Sequence, residues 1–406
     1  MAISILDALD TIYQKVEAVS SEIITLESSV GRVVSRDYSA TLNLPRFDNS
    51  AMDGYAFKVR DSGKRVICNA TIYAGDKALE DEVRIGTAVK IMTGAPIPKG
   101  AQAVVPKENV SIKGELLSMP SGVKEGEHIR YEGEDIRIGD TLISKGEKIT
   151  PYTIALLASQ GVTHLEVYRK IKVAIFSTGD ELAHHYEAIE SHQLYNSNAP
   201  SFIARATSLG CETSYINSSG DSIESLQEAI SKALHCDVIV TSGGVSVGDK
   251  DYTKEAFKQL GMETYFEKVD IKPGKPTTFG KLGSTFIVNL PGNPLASVVN
   301  FEMFIKPLIL KLQGDRACYH GVIETTVKTK CNIKKGKYTV LLGQYDGKHF
   351  YPLAKQSPGM VSPLHDADAM ALMSPDVSHI KSSASLKIIP IGLSLNSNKQ
   401  INFIND

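Results

Sequence analysis

The sequence lacks several features that would assign it to a common functional class. Its 406 residues include only five cysteines, an odd number with wide spacing and no CxxC pair. This spacing argues against a disulfide framework and a cysteine zinc site, and it predicts the reduced thiols of a cytoplasmic protein. There is also no apolar run of about 18 residues, the length that a membrane span needs.

Charge and catalytic motifs exclude further classes. The net charge is -2, so no global field favours nucleic acid or an acidic membrane surface. The opening stretch MAISILDALDTIYQKVEAV has neither a basic leader nor a continuous apolar core, unlike a signal peptide. HExxH is missing, which removes support for zinc protease chemistry.

The sequence pattern, and with it the predicted secondary structure, changes along the chain. Apolar residues at 5, 9, 12, 16 and 19 predict an amphipathic opening helix. Short β-rich runs broken by Gly and Pro fill about 40–140, and a helix is expected from Pro151 to near Gly161. Alternating runs from 317 onward predict a small all-β domain.

Residues 170–313 show a strand, a loop and a helix three times over. The predicted strands at 172–176, 237–241 and 285–290 lead into STGDEL, SGGVSVGD and PGNP. Helices are expected near 198–209, from Asp221 (with Glu224 completing an N-cap box), after SGGVSVGDKD and from about Leu295. This order predicts a parallel sheet with ligands beyond the carboxyl ends of its strands.

The loop SGGVSVGDKD has the glycines of a phosphate-binding loop but not its lysine. Gly243 and Gly248 have Walker spacing, yet Asp249 occupies the lysine position. Backbone amides at Gly243, Gly244 and Gly248 and the hydroxyls of Ser242 and Ser246 could approach an anion. Because carboxylates repel phosphate, Asp249 and Asp251 indicate a metal-bridged phosphate. The alternative is a plain strand–helix connection with a capping aspartate.

Two other stretches could complete such a site. KVDIKPGKP carries Lys268, Lys272 and Lys275 between stiff prolines, which suits an anion but also a solvated basic turn. The LPGNP turn has Pro291 and Pro294 at a helix entry. In STGDEL the candidates are Ser177, Thr178, Gly179 and Glu181, with a capped helix start as the alternative.

The β-rich segment contributes further polar loops. RFDNSAMDGYA contains Asp53, IMTGAPIP contains Thr93, and GEDIRIGD contains Asp135. Each loop taken alone can be read as a turn with a capping Asx residue.

Together, FDNSAMDGYA, IMTGAPIP, GEDI, STGDEL, SGGVSVGDKDYTK, IKPGKP and LPGNP resemble the MoeA family, the molybdopterin molybdenumtransferases, similar to the E domain of gephyrin. The resemblance implies a multidomain α/β and β fold. Its parts are an elongated linker and dimerisation domain (21–39 plus 141–167), an inserted β-rich domain (40–140), a MogA-like doubly wound molybdopterin-binding domain (1–20 plus 168–316) and a C-terminal β-barrel-like domain (317–406).

The resemblance implies a reaction as well. Molybdenum from molybdate enters adenylylated molybdopterin, and Mg²⁺ assists the release of AMP. The implied catalytic residues are Asp53, Thr93, Asp135, Glu181, Asp249 and Asp251, with Glu181, Asp249 and Asp251 as metal ligands. The implied substrate-binding residues are Ser177, Thr178, Gly179, Asp221, Ser242, Gly243, Gly244, Ser246, Gly248, Lys268, Lys272, Lys275, Pro291, Pro294, Ser357 and Ser362. The sequence QSPGMVSP leaves open which of Ser357 and Ser362 is the family's serine.

The resemblance also implies partners. It indicates a homodimer whose active site lies at the subunit interface, with a molybdopterin adenylyltransferase and molybdoenzyme apoproteins as further partners. Two alternatives are a non-catalytic molybdopterin-binding scaffold and a MogA-type adenylyltransferase. The set of acids favours catalysis over the scaffold, and the inserted domain and KPGKP argue against the adenylyltransferase.

Overall fold

The computed structural model describes residues 2–179, 181–216, 222–243 and 252–393. The chain forms two compact units. The first contains Met1–Ser35, Lys145–Thr150 and His164–Asp406, and the second contains Arg36–Ser144 and Pro151–Thr163. The division into four domains stays a prediction.

Eight α-helices lie in the described residues. They are α1 Ile5–Lys15, α2 Pro151–Ser159, α3 Asn198–Ser208, α4 Ile223–Ala233, α5 Tyr252–Gln259, α6 Pro294–Asn300, α7 Lys306–Leu312 and α8 Ser362–Asp366. A π-helical segment, Phe301–Ile305, joins α6 to α7. Short 3₁₀ turns occur at Leu26–Ser28, Val59–Asp61 and Lys107–Asn109.

The strands are numbered in chain order. The first eleven are β1 Ser21–Thr25, β2 Tyr38–Ser39, β3 Asn49–Ser50, β4 Gly54–Phe57, β5 Arg65–Ile72, β6 Thr87–Ile91, β7 Ala103–Pro106, β8 Ser111–Lys113, β9 Leu116–Ser118, β10 Ile129–Arg130 and β11 Thr141–Ile143. The others are β12 His164–Tyr168, β13 Lys172–Ser177, β14 Leu182–Ala183, β15 Leu194–Tyr195, β16 Glu212–Tyr215, β17 Val238–Ser242, β18 Glu263–Phe266, β19 Thr278–Leu282, β20 Thr285–Leu290, β21 Ile323–Val327, β22 Cys331–Asn332, β23 Thr339–Tyr345, β24 His349–Pro352, β25 Ala369–Met373, β26 His379–Ile380 and β27 Ser385–Pro390.

The first unit is built on a six-stranded sheet in the order β16-β13-β17-β20-β19-β18. The first four strands are parallel, as the sequence predicts. The expectation of a parallel sheet needs one correction, because β19 and β18 extend it antiparallel and carry the lysine segment between them. A direct hairpin connection of this kind is available only to antiparallel strands.

Both faces of this sheet are buried, which is what continuous apolar strands require. Side chains alternate along each strand, so Val173 and Val240 pack in one core with α1, while Ala174 and Ile239 pack in another with α4. Helix α1 buries Ile5, Ala8, Leu9 and Ile12 and is capped by Ser4, whose side chain accepts from the Asp7 amide at 3.1 Å. The predicted amphipathic opening helix is confirmed.

The predicted cap of the helix after Asp221 is wrong by one residue. The N-cap of α4 is Ser222, whose hydroxyl accepts from the Ser225 amide at 3.2 Å. Serine and aspartate are equally good caps, so the pattern Asp-Ser-Ile-Glu fits either register. Asp221 itself lies outside the described residues.

The first unit also contains a closed five-stranded barrel, β21-β24-β23-β25-β27. Its interior is filled by side chains such as Phe350 and Ile388, both fully buried. The predicted C-terminal β structure is therefore confirmed.

The second unit holds a six-stranded sheet in the order β7-β4-β6-β5-β9-β8. Strand β4 lies next to the β7 edge, with Tyr55 and Phe57 in one apolar cluster and Ala56 in the other. Strand β4 runs antiparallel to both neighbours, β6 and β7. Among all the described residues of the chain, no helix is both long and apolar enough to cross a membrane.

Candidate active site

Three predicted loops meet at one edge of the first unit's sheet. Strands β13 and β17 end side by side, with Ser177 opposite Ser242. The Thr178 amide donates to the Ser242 carbonyl at 3.1 Å, and the Gly243 amide donates to the Leu290 carbonyl at 3.2 Å. The parallel order thus brings STGDEL, the start of SGGVSVGD and the PGNP turn together.

Two glycines at this edge cannot be replaced without distortion. A Cβ on Gly243 would lie 2.4 Å from the Thr178 carbonyl oxygen, and φ there is +96°. A Cβ on Gly179 would lie 2.6 Å from a Glu181 carboxylate oxygen, with φ at +145°. Glycine is needed at both places because the backbone takes a conformation that L side chains rarely adopt.

Glu181 and Thr178 present oxygen atoms beside this turn. The Glu181 residue is exposed, and Thr178 Oγ1 is buried with no hydrogen-bond partner among the described residues. A buried hydroxyl without a partner is costly, so it is a natural contact for a ligand. Carboxylate and hydroxyl oxygens suit a hard cation and the phosphate it bridges, so these two residues fit Mg²⁺.

Several predicted residues lie outside the described part of the chain. They are Asp221, Gly244, Ser246, Gly248, Asp249 and Asp251. Within the described ranges no three His, Cys, Asp or Glu residues cluster as metal ligands do. Two of the three predicted ligands are outside those ranges, so the metal assignment stays a prediction.

Two asparagines that the site prediction omitted tie these loops together. Asn198 Nδ2 donates to Ser242 Oγ at 2.6 Å and to the Gly292 carbonyl at 2.8 Å. Asn196 Oδ1 accepts from the Ser177 hydroxyl at 3.3 Å. Both asparagines are buried. The signal was the polar run YNSN, which leads into helix α3, since a buried amide at a helix start must have partners in neighbouring loops.

The lysine segment is held by its backbone. The Val269 amide donates to the Lys275 carbonyl at 3.0 Å, and a Cβ on Gly274 would lie 1.6 Å from Asn300 Nδ2. Lys268 and Lys272 are half-buried and Lys275 is exposed. These three lysines form no ion pair with any residue in the described ranges, which leaves their charge available to an anion.

The PGNP turn contacts the C-terminal serine segment. Pro291 is buried, Pro294 is the first residue of α6, and the Leu295 amide donates to the Pro358 carbonyl at 3.0 Å. Ser357 directly precedes that contact, whereas Ser362 begins α8. Both serines are exposed.

The second unit has a polar corner of its own where three strands meet. Asp53 precedes β4, Thr93 follows β6 and Lys107 follows β7. Asp53 Oδ1 accepts from the Thr93 amide at 2.9 Å and from its hydroxyl at 2.8 Å. Lys107 Nζ lies 3.9 Å from Asp53 Oδ2. The sequence predicts Asp53 and Thr93 as site residues but does not predict Lys107.

These contacts keep Asp53 ionised. The two Thr93 hydrogen bonds, with a smaller contribution from the charge of Lys107, hold the pKa of Asp53 below its usual range. Asp135 lies in the same unit, where its amide donates to the Leu44 carbonyl at 2.9 Å. No hydrogen bond joins Asp135 to Asp53 or Thr93 within the residues described.

Comparison with known proteins matches most of the chain. Residues 3–161 match the family described as MoeA N-terminal region (domain I and II), and residues 174–311 match the one described as probable molybdopterin binding domain. The molybdopterin molybdenumtransferase of Haemophilus influenzae is 36% identical over 300 residues, which is 73% of this chain and 74% of that protein. The chain belongs to the MoeA family of molybdopterin molybdenumtransferases.

Further relatives agree with this assignment. The Staphylococcus epidermidis RP62A molybdopterin molybdenumtransferase is 34% identical over 347 residues, covering 84% of this chain and 83% of that protein. The crystal structure of the Pyrococcus horikoshii MoeA protein superimposes with a TM-score of 0.83 at 27% identity, over 96% of this chain and 99% of that one. The multidomain fold predicted from the sequence is confirmed, and MoeA membership makes the chain a transferase of molybdenum cofactor biosynthesis.

Proposed function

We propose that the protein inserts molybdenum from molybdate into adenylylated molybdopterin, with Mg²⁺-dependent release of AMP. The observation that carries this proposal is the chemistry of the sheet edge. Exposed Glu181 lies beside the turn at Gly179, and the buried Thr178 hydroxyl that precedes this turn has no hydrogen-bond partner among the described residues. Such an edge suits a phosphoanhydride whose charge must be both held and neutralised.

The residues divide into acids and anion contacts. Asp53, Thr93, Asp135, Glu181, Asp249 and Asp251 are the proposed catalytic residues, and Glu181, Asp249 and Asp251 would hold Mg²⁺. When bound, Mg²⁺ would supply Lewis-acid polarisation of the phosphoanhydride. Lys268, Lys272 and Lys275, which form no ion pair within the described ranges, would stabilise molybdate or the charge that develops on AMP.

The ligands of molybdenum belong to the substrate in this proposal. Cys211, Cys236 and Cys318 are buried, and burial raises the pKa of each thiol, to about 12 at Cys211. Thiolates are the forms that bind metal, so these side chains are poor ligands at neutral pH. The dithiolene sulfurs of molybdopterin would take that role.

We further propose a cytoplasmic homodimer with the active site at the subunit interface, served by a molybdopterin adenylyltransferase and by molybdoenzyme apoproteins. The family resemblance motivates the dimer and the partners, and the free thiols support the compartment. Sedimentation at micromolar concentration tests the dimer: we expect the mass of two chains, and the mass of one chain would contradict it.

The reaction is tested by following AMP release from adenylylated molybdopterin with molybdate and Mg²⁺. We expect turnover that stops when the cation is chelated and resumes when Mg²⁺ is restored. Turnover that is unaffected by chelation would contradict the metal dependence. The absence of AMP under all conditions would contradict the reaction.

A further inference from the structure

Lys107 is placed next to Asp53 by the backbone rather than by the reach of a long side chain. Strands β4 and β7 pair with Gly54 opposite Pro106, the residues directly after Asp53 and directly before Lys107. The Lys107 amide donates to the Asp53 carbonyl at 3.0 Å. The two residues are therefore neighbours in any rotamer of the lysine.

Gly54 allows strands β4 and β7 to approach each other closely. A Cβ at this position would lie 1.9 Å from the Val105 carbonyl oxygen, so only glycine lets the two strands meet here. The 3₁₀ turn Lys107–Asn109 begins directly after β7 and carries the chain away from the strand pair. The paired strands thus hold Asp53 and Lys107 side by side at a fixed position.

Among the described residues, Lys107 forms only a weak ion pair, with Asp53. Its Nζ is 3.9 Å from Asp53 Oδ2, and the two side chains are 57% and 43% exposed. Ion pairs between exposed groups at this separation contribute little to stability. Thr93 is the main cause of the lowered pKa of Asp53, so Asp53 stays ionised without the lysine.

We infer that Lys107 is a substrate-binding residue that contacts a phosphate oxygen of the adenylylated substrate at the Asp53 corner. This inference rests on the proposed function. A carboxylate that serves a phosphoanhydride also repels it, and an adjacent ammonium offsets that repulsion. Asp53 Oδ1 is already engaged by Thr93, so Oδ2 and Lys107 Nζ form the open side of the corner.

The test compares Lys107→Ala, Lys107→Arg and Lys107→Glu in the AMP-release assay. Loss of a charge-assisted hydrogen bond should raise KM for the adenylylated substrate about tenfold in Lys107→Ala. Lys107→Glu should raise KM further, Lys107→Arg should stay near wild type, and kcat should change little. Lys113→Ala, at an exposed lysine in β8 of the same sheet, is the matched control and should leave KM unchanged.

Binding of inorganic pyrophosphate, measured by calorimetry without turnover, separates this inference from the proposed reaction. Wild type should bind it about tenfold more tightly than Lys107→Ala, with the Lys113→Ala control equal to wild type. Equal affinity in wild type and Lys107→Ala, or no binding to either, would overturn the phosphate contact. Failure of AMP release in wild type would reject the proposed reaction while the calorimetry still decides on Lys107.

Discussion

The edge of the parallel sheet and the Asp53 corner both gather polar groups where three neighbouring strands meet, but by different means. At the parallel edge the groups come from loops, which are held by Gly243, Gly179 and the buried Asn198. At the corner they lie at or near the ends of antiparallel strands, whose register is fixed around Gly54. The first arrangement adds buried side-chain hydrogen bonds to the backbone bonds between strand ends. The second rests mainly on antiparallel strand pairing, with Thr93 bonded to Asp53.

The largest effect on stability is expected from breaking the register at the corner. Gly54→Ala places a Cβ against the Val105 carbonyl, and backbone on both sides cannot give way easily. We expect a loss of about 3 kcal/mol or more in the free energy of unfolding, measured by urea denaturation. Gly321→Ala, where a Cβ meets nothing within 4 Å, is the control. Equal stability of the two variants would show that register does not depend on this glycine.

A smaller effect is expected at the parallel edge. Asn198→Ala removes the donor that Ser242 and Gly292 share, and it should cost about 1–3 kcal/mol and lower kcat/KM for AMP release. Ser201→Ala, at an exposed position of the same helix, should change neither quantity. If Asn198→Ala matched that control, the loops would not depend on the asparagine.

The smallest effect is a shift in the pH dependence. Thr93→Val removes the hydroxyl donor to Asp53 but keeps the amide donor, so the pKa of Asp53 should rise toward its ordinary value. Because the ionised form is the proposed working form, the acidic limb of kcat/KM should move to higher pH. Thr93→Ser keeps a hydroxyl and should leave the limb in place. A limb that does not move in Thr93→Val would mean that another group controls it.

The same contrast explains what the sequence could predict. Strand ends of a parallel sheet share one edge, so the chain order of STGDEL, SGGVSVGD and PGNP is enough to bring Ser177, Ser242 and Pro291 together. Neighbours in an antiparallel sheet depend on pairing that the chain order does not reveal. Family motifs predict roles for Thr93 and Asp53. Lys107 belongs to no such motif, and only the pairing of β4 with β7 places it beside Asp53.

The secondary-structure prediction was wrong in two other places, because the local sequence pattern fits more than one structure. Asp221 and Ser222 are equivalent as helix caps, so the cap residue was misplaced by one. Strands β18 and β19 extend the sheet antiparallel, which apolar periodicity cannot distinguish from a parallel addition.

The proposed function requires Asp53 and Glu181 each to be needed for AMP release. The most direct test measures AMP release by Asp53→Ala and Glu181→Ala beside wild type, with Mg²⁺ and molybdate. Glu181 is exposed and the Asp53 side chain is 43% exposed, so we expect both variants to stay folded, with urea denaturation as the check. Each should lose about 10²–10³-fold in kcat. Wild-type turnover in either folded variant would contradict the claim.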